Sequence, residues 1–232
     1  MRSVLIIGGN CDIGRALVKY FLDNKYNVVV GYHNDDNKYY DGVKYVKCDV
    51  TDTDSIENVI VTTIKMYGKI DLIVNLSCTY MDNSFLNKSK EEFMRVLEVN
   101  LVGTFLCNQI YSRYVDNGMI INMASTDGID TYSQYSIDYS ASKAGIINIS
   151  KSMALGTNNK IICICPNWID NSSTNSMNRE YLDSELKRIN QSRLITLDEL
   201  INGIDTIINN ECNSGDVFRI DIKGDKLWVE RI

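Results

Sequence analysis

The sequence is poor in several residue types that define whole classes of protein. It contains 1 Pro and 1 His in 232 residues, and its 7 Cys stand at 11, 48, 78, 107, 163, 165 and 212 with no CxxC pair. A single histidine and scattered thiols do not supply the grouped ligands of a zinc or iron–sulfur centre, so no metal site is expected. The same scatter in a chain of this length argues against a disulfide scaffold. The cysteines read as small buried apolar side chains in a reducing compartment. A cationic excess is also missing: 24 Lys and Arg face 30 Asp and Glu, giving a net charge of -6 and a pI near 4.9. Affinity for nucleic acid rests on neutralising phosphates, so nucleic acid is not an expected partner, and acidic partners are disfavoured too. Long apolar runs are absent as well. The N-terminal run VLII is four residues long before its glycines, too short for a signal-peptide core or a membrane span. No membrane association and a cytoplasmic location follow as expectations.

What is present is an ordinary globular composition, 44% hydrophobic and 23% charged, with no linker or shift in composition, which predicts a single domain over residues 1–232. Short β-branched runs alternate with longer amphipathic stretches. Strands are expected at Val4 to Ile7, Val28 to Val30, Val43 to Cys48, Leu72 to Leu76, Met119 to Met123, Ile161 to Cys165 and Val217 to Ile222. Helices are expected at about 12 to 24, 53 to 67, 90 to 114, 139 to 155, 180 to 190 and 196 to 209. The polar segment from Asn34 to Asp41 leaves the second crossover without a proper helix. The predicted fold is α/β, a doubly wound sheet of about seven parallel strands with helices on both faces.

The first strand runs into Gly8, Gly9, Asn10, Cys11, Asp12, Ile13 and Gly14, and a helix follows directly. Glycines at such a turn let backbone approach a pyrophosphate, and the helix N-terminus offers free N–H groups, although a tight turn without a ligand has the same appearance. The second strand ends in Tyr32 and His33. An acid at this place would meet a free ribose 2′-hydroxyl; a neutral or cationic residue leans towards a 2′-phosphate, and an exposed loop histidine is the alternative. Asp49 and Val50 follow the third strand, where Asp49 could meet an adenine amino group or serve as a turn residue. Tyr139 and Lys143, spaced i, i+4, share one helix face. A phenol titrates near pH ~10, and a neighbouring ammonium favours its phenolate. Ser125 ends an apolar strand and could hold a substrate oxygen.

Taken in order, these segments resemble the short-chain dehydrogenase/reductase family over essentially the whole chain, in the subgroup that includes β-ketoacyl carrier-protein reductases. The turn Gly8 to Gly14 resembles the family's TGxxxGxG, and Asp49 with Val50 its adenine-site pair. Asp71 to Cys78 resembles the segment ending NNAG, keeping Asn75, and Pro166 to Ile169 resembles the PG motif. Asn100, Ser125, Tyr139 and Lys143 match the catalytic tetrad. The resemblance implies a Rossmann-type domain and hydride transfer between a nicotinamide and a carbonyl or secondary alcohol. Tyr139 would be the general acid/base, Lys143 would lower its pKa and bind the ribose, Ser125 would orient the substrate and Asn100 would anchor a relay water. The expected cofactor contacts are Gly8, Asn10, Asp12, Ile13, Gly14, Tyr32, His33, Asp49, Val50, Asn75, Tyr139, Lys143, Pro166 and Ile169, with NADP(H) favoured over NAD(H). A homotetramer or homodimer is also implied.

Departures from the pattern are Asp12 at the middle glycine, Leu76 to Cys78 in place of Asn-Ala-Gly, Asn167 after Pro166, and Asn171 where Thr is common. Asn167 is a residue that tolerates positive φ if the turn needs it. Specificity is expected in the loop at about 167–195 and between Ser125 and Tyr139. A small polar ketone, a sugar-like carbonyl, a coenzyme-A ester and a 3-oxoacyl group are all open as substrates, the acidity of the chain weighing against a carrier protein. The alternative is a cofactor-binding subunit or sensor with little catalysis.

Overall fold

A computed structural model describes all of residues 1–232. Its centre is one eight-stranded sheet in the order β3-β2-β1-β4-β5-β6-β7-β8. The strands are β1 (Ser3–Ile7), β2 (Asn27–Tyr32), β3 (Lys44–Lys47), β4 (Leu72–Asn75), β5 (Met119–Met123), β6 (Lys160–Pro166), β7 (Val217–Lys223) and β8 (Lys226–Arg231). The first seven are parallel, and β8 returns antiparallel along β7. The helices are α1 (Asp12–Asp23), α2 (Thr53–Tyr67), α3 (Lys90–Leu97), α4 (Gly103–Tyr114), α5 (Ile137–Met153), α6 (Ser172–Asn175), α7 (Arg179–Arg188) and α8 (Leu197–Asn209).

Alternation along the strands explains the layers. Val4 and Ile6 of β1 face a cluster with Leu17 and Phe21 of α1 and Leu200 and Ile204 of α8. Leu5 and Ile7 face the opposite cluster with Ile56 and Ile60 of α2 and Ile110 and Tyr111 of α4. Both faces are therefore covered. A third cluster joins Ile146 of α5 to Cys163 and Cys165 of β6. No helix is long and apolar enough to cross a membrane.

Three features depart from the expected elements. β8 was not expected; its signal is the Gly224–Asp225 pair, with Gly224 at φ +62, a two-residue hairpin turn between β7 and β8. The helix expected over 90 to 114 is interrupted by a π turn at Glu98–Val102, centred on Asn100. The cysteines are all free, but Cys11 and Cys78 are exposed, unlike the other five, which are buried as expected. As expected, the segment from Asn34 to Asp41 forms no helix.

Candidate active site

β1 lies between β2 and β4, so the sheet order reverses at its carboxyl end, where doubly wound sheets open a crevice. A cleft of about 790 Å3 runs across this point. At one end Gly8 leaves β1 at φ +76, and a Cβ there would stand 2.7 Å from the Ser77 backbone nitrogen. A Cβ on Gly14 would overlap the Gly9 carbonyl. The turn therefore has no room for a side chain at Gly8 or Gly14 and brings backbone close to the cleft at the start of α1. Gly8, Asp12 and Ile13 line the cleft; Gly14 is buried behind them.

Asp12 does something that the sequence alone does not reveal. One carboxylate oxygen pairs with Arg15, and the other accepts a 2.7 Å hydrogen bond from the Ser172 N–H, joining the glycine turn to the first residue of α6. Burial pushes this carboxyl up, but the Ser172 hydrogen bonds and the Arg15 charge outweigh it and hold it below its ordinary range.

Several expected contacts stand apart from the cleft. Asn10 is buried, its amide donating to the carbonyls of Asp35 and Asn37, so it fastens the loop after β2. Tyr32 packs against the core on the α1 side. Asn75 donates to Asn108 Oδ1 at 2.7 Å and to Asn122 Oδ1 at 2.8 Å, inside a buried amide network that Asn122 extends to Ser150 of α5 at 2.9 Å. His33, Asp49 and Val50 do line the cleft. His33 Nε2 lies 3.3 Å from Asp49 Oδ2, while Asp49 Oδ1 accepts from the backbone and hydroxyl of Thr51 at 2.9 and 2.7 Å. Asp49 is thus a turn residue and a cleft residue at once. The Thr51 hydrogen bond, with the His33 charge, keeps its carboxyl low against the effect of burial.

Ser125, Tyr139 and Lys143 come together on the cleft floor. Ser125 follows β5 in an extended conformation and caps the 3-10 turn Thr126–Gly128, its Oγ accepting from the Asp127 N–H at 3.1 Å. Tyr139 and Lys143 are one turn apart on α5, the ammonium 5.2 Å from the phenol ring centre. Lys143 is 3% exposed and donates to the Met123 carbonyl at 2.9 Å. The sequence argues that Lys143 lowers the phenol pKa; in this structure burial dominates and pushes it well above its ordinary value. The Cys78 and Asp127 charges push the same way, against a hydrogen bond with Ser125.

Asn100 is fully buried in the π turn and does not itself line the cleft. Its Oδ1 accepts from the Thr79 N–H at 2.7 Å, and its Nδ2 donates to the Thr79 carbonyl at 2.9 Å and to Ser142 Oγ at 3.0 Å. The widened turn thus clamps the segment after β4 to the residue preceding Lys143. Pro166 and Ile169 line the opposite wall. Asn167 does not use its tolerance for positive φ. Its side chain donates to Asp221 at 3.0 Å and accepts from Thr126 at 3.0 Å, tying β6 to β7. Asn171 caps α6, accepting from the Thr174 N–H at 3.0 Å. The loop at 167–195 is closed at its base by the Gln191 side chain on the Trp168 backbone and by the Ile169–Ile195 bridge.

Sequence reasoning missed Asp127, which lines the cleft at 9% exposure and is carried there by the turn after Ser125. It also missed the buried Lys88–Asp138 pair beside Tyr139. Spacing carries no signal for either.

A model of the short chain dehydrogenase family matches residues 2–182. The chain belongs to the short-chain dehydrogenase/reductase family. It is 30% identical over 186 residues to an uncharacterized oxidoreductase of Thermotoga maritima, covering 74% of this chain and 72% of that one. It is 29% identical to the 3-oxoacyl-(acyl-carrier-protein) reductase FabG of the same organism, over 94% and 95% of the two chains. Among solved structures, a short-chain dehydrogenase/reductase from Serratia marcescens superposes with a TM-score of 0.85 at 20% identity, covering 97% and 98%. ElxO with NADP bound superposes with a TM-score of 0.78 at 23% identity, covering 94% and 96%. Short-chain dehydrogenase/reductase enzymes are oxidoreductases that use NAD(P) and act on small molecules.

Proposed function

We propose that this short-chain dehydrogenase/reductase interconverts a small-molecule carbonyl and a secondary alcohol, with NADP(H) preferred. The observation that carries the reading is the convergence of Ser125, Tyr139 and Lys143 on the floor of a cleft whose other end is a turn with no room for a side chain at Gly8 or Gly14. That turn fits a dinucleotide: the backbone at Gly8, Asp12 and Ile13 would hold the phosphates, Asp49 and Val50 the adenine, and Pro166 and Ile169 the nicotinamide. Bound there, the cofactor supplies a hydride to the carbonyl carbon or removes one from the alcohol. Tyr32 at the usual place of the acid, with His33 following it on the cleft wall, supports NADP(H).

The chain's own groups handle the proton. A phenol is protonated at neutral pH, so the Tyr139 Oη–H can be given to the carbonyl oxygen as the new C–H bond forms, and in the reverse direction the alcohol proton returns to the phenolate. The Ser125 hydroxyl donates to the same oxygen and fixes its position. Lys143, buried beside the ring, holds positive charge where the phenolate develops. Asn100 acts through position, holding Thr79 and Ser142 in place. The FabG relative, whose name describes 3-oxoacyl reduction, supports a carbonyl at this site.

The test is Tyr139→Phe. Titration with NADPH and NADH should show unchanged cofactor binding, tighter for NADPH, while turnover falls at least about a hundredfold. Unchanged turnover in the variant sinks the reading.

A further inference from the structure

The end of the cleft beyond Tyr139 has its own chemistry. Asp127 stands two residues after Ser125 and is nine-tenths buried, yet it opens onto the cleft. Its Oδ1 accepts from the Thr131 hydroxyl at 2.7 Å, and Thr131, itself 4% exposed, also meets Thr126 at 2.9 Å. This holds the carboxyl group rigid. Its Oδ2 receives no hydrogen bond from the protein. Unlike the sealed, unpartnered Asn10 Oδ1, Asn75 Oδ1 and Ser140 Oγ, this oxygen is open to the cleft, so a ligand that displaces the water there must bring a donor of its own.

The surroundings narrow that donor. Hydroxyl groups from Tyr80, Ser133, Ser136, Ser173 and Tyr181 line this end, together with Asp82. Ser136 donates to Asp82 at 2.8 Å, and the Tyr80 and Ser173 hydroxyls lie 3.1 Å apart. The only cation lining this end is Lys143; Arg15, His33 and Arg95 line the other end, beside the glycine turn and Asp49. A phosphate or carboxylate on the substrate would face Asp127 and Asp82, while Lys143 is held by the Met123 carbonyl beside Tyr139 and Arg188, the other cation acting on Asp127, does not line the cleft; a plain hydrocarbon would leave Asp127 Oδ2 unpaired.

We infer that the cleft selects a neutral hydroxylated carbonyl compound, of the hydroxyketone or sugar type, with a hydroxyl next to the reacting carbon donating to Asp127 Oδ2. This rests on the carbonyl-reducing reading above and assigns Asp127 as its specificity-determining residue. A site built to pair with a substrate hydroxyl rejects the analogue that lacks it far more strongly than an apolar pocket rejects a size change.

The experiment compares kcat/KM for dihydroxyacetone, dihydroxyacetone phosphate and 2-butanone, each reduced to a secondary alcohol, in the purified protein, with NADPH and NADH each supplied. Dihydroxyacetone should exceed both others by at least about tenfold. In Asp127→Leu the ratio of dihydroxyacetone to 2-butanone should fall to near one, the ratio being read because the Asp127 charge also acts on Tyr139. Asp127→Asn, which keeps the shape and one acceptor, should fall between, and it serves if the leucine variant does not fold. A wild-type protein that reduces 2-butanone or dihydroxyacetone phosphate as well as dihydroxyacetone, or a preference that survives both substitutions, overturns the inference while leaving carbonyl reduction standing. A protein that binds cofactor but reduces none of the three overturns both.

Discussion

Lys88 and Asp138 meet at 3.0 Å with side chains 2% and 0% exposed, one residue before Tyr139. Lys88 also donates to the Met81 carbonyl, and Asp138 Oδ1 accepts from the Tyr139 N–H at 2.9 Å. The pair therefore fastens the segment between β4 and α3 to the first turn of α5, at the residue preceding Tyr139. Removing one partner strands a buried charge, so Lys88→Met should lower stability by about 3–5 kcal/mol in urea unfolding, and Lys88→Met with Asp138→Asn should recover a large part of the loss. Equal stabilities for the single and double variants would show that the pair is not the anchor.

The Asp12–Ser172 hydrogen bond predicts a dependence of loop order on the glycine turn. In Asp12→Ala the Ser172 N–H loses its charged acceptor, worth about 1.5–3 kcal/mol, while the Trp168–Gln191 closure at the loop base is untouched. Limited proteolysis between residues 172 and 190 should speed up on the order of tenfold. Asp12→Asn, which keeps an acceptor oxygen, should cleave more slowly than the alanine variant. Identical cleavage in all three proteins would remove the latch.

Glu199 supplies a pH dependence. It caps α8 and pairs with Arg193 at 2.7 Å, and the Arg193 hydrogen bond brings its carboxyl down from 4.5 to about 2. A carboxyl depressed in the folded state adds stability above its unfolded pKa and loses it as pH falls through the folded one. Glu199→Gln should therefore melt below the wild type at neutral pH, and the difference should narrow as the pH drops from about 4.5 towards about 2. The effect is modest because both side chains are partly exposed to solvent. A constant difference in melting temperature across that range would refute the assignment.

The parts of the fold that repeat were legible in the sequence. β5 appears at the expected residues, and the cores of the other parallel strands do too, because a strand buried on both faces writes an unbroken apolar run. Tyr139, Lys143 and Ser125 were legible because a helix turn and a strand end set their separations locally. Lys88 was silent because its partner Asp138, fifty residues on, is reached through tertiary folding, and Asp127 because nothing in its own residue pattern shows that the turn after Ser125 aims it at the cleft. Asn10 and Asn75 were expected at the cofactor because of the motifs they sit in, whereas their amides satisfy buried backbone and side-chain groups. Motif membership cannot separate a residue that touches a ligand from one that holds the motif in shape.

The amide network of Asn75, Asn108, Asn122 and Ser150 also bears on folding fidelity. Asn75 and Asn122 face each other in the β4–β5 register, and Asn122 reaches α5, the helix that carries Tyr139 and Lys143. A slip of one residue would carry Ser125 about 3.3 Å along its strand and turn the asparagines onto the wrong face, leaving buried amides unpaired at about 1–3 kcal/mol each. The same error that would misalign the catalytic groups is thus penalised in the core, far from any substrate. A chain that completes this network has already set the spacing on which its chemistry depends.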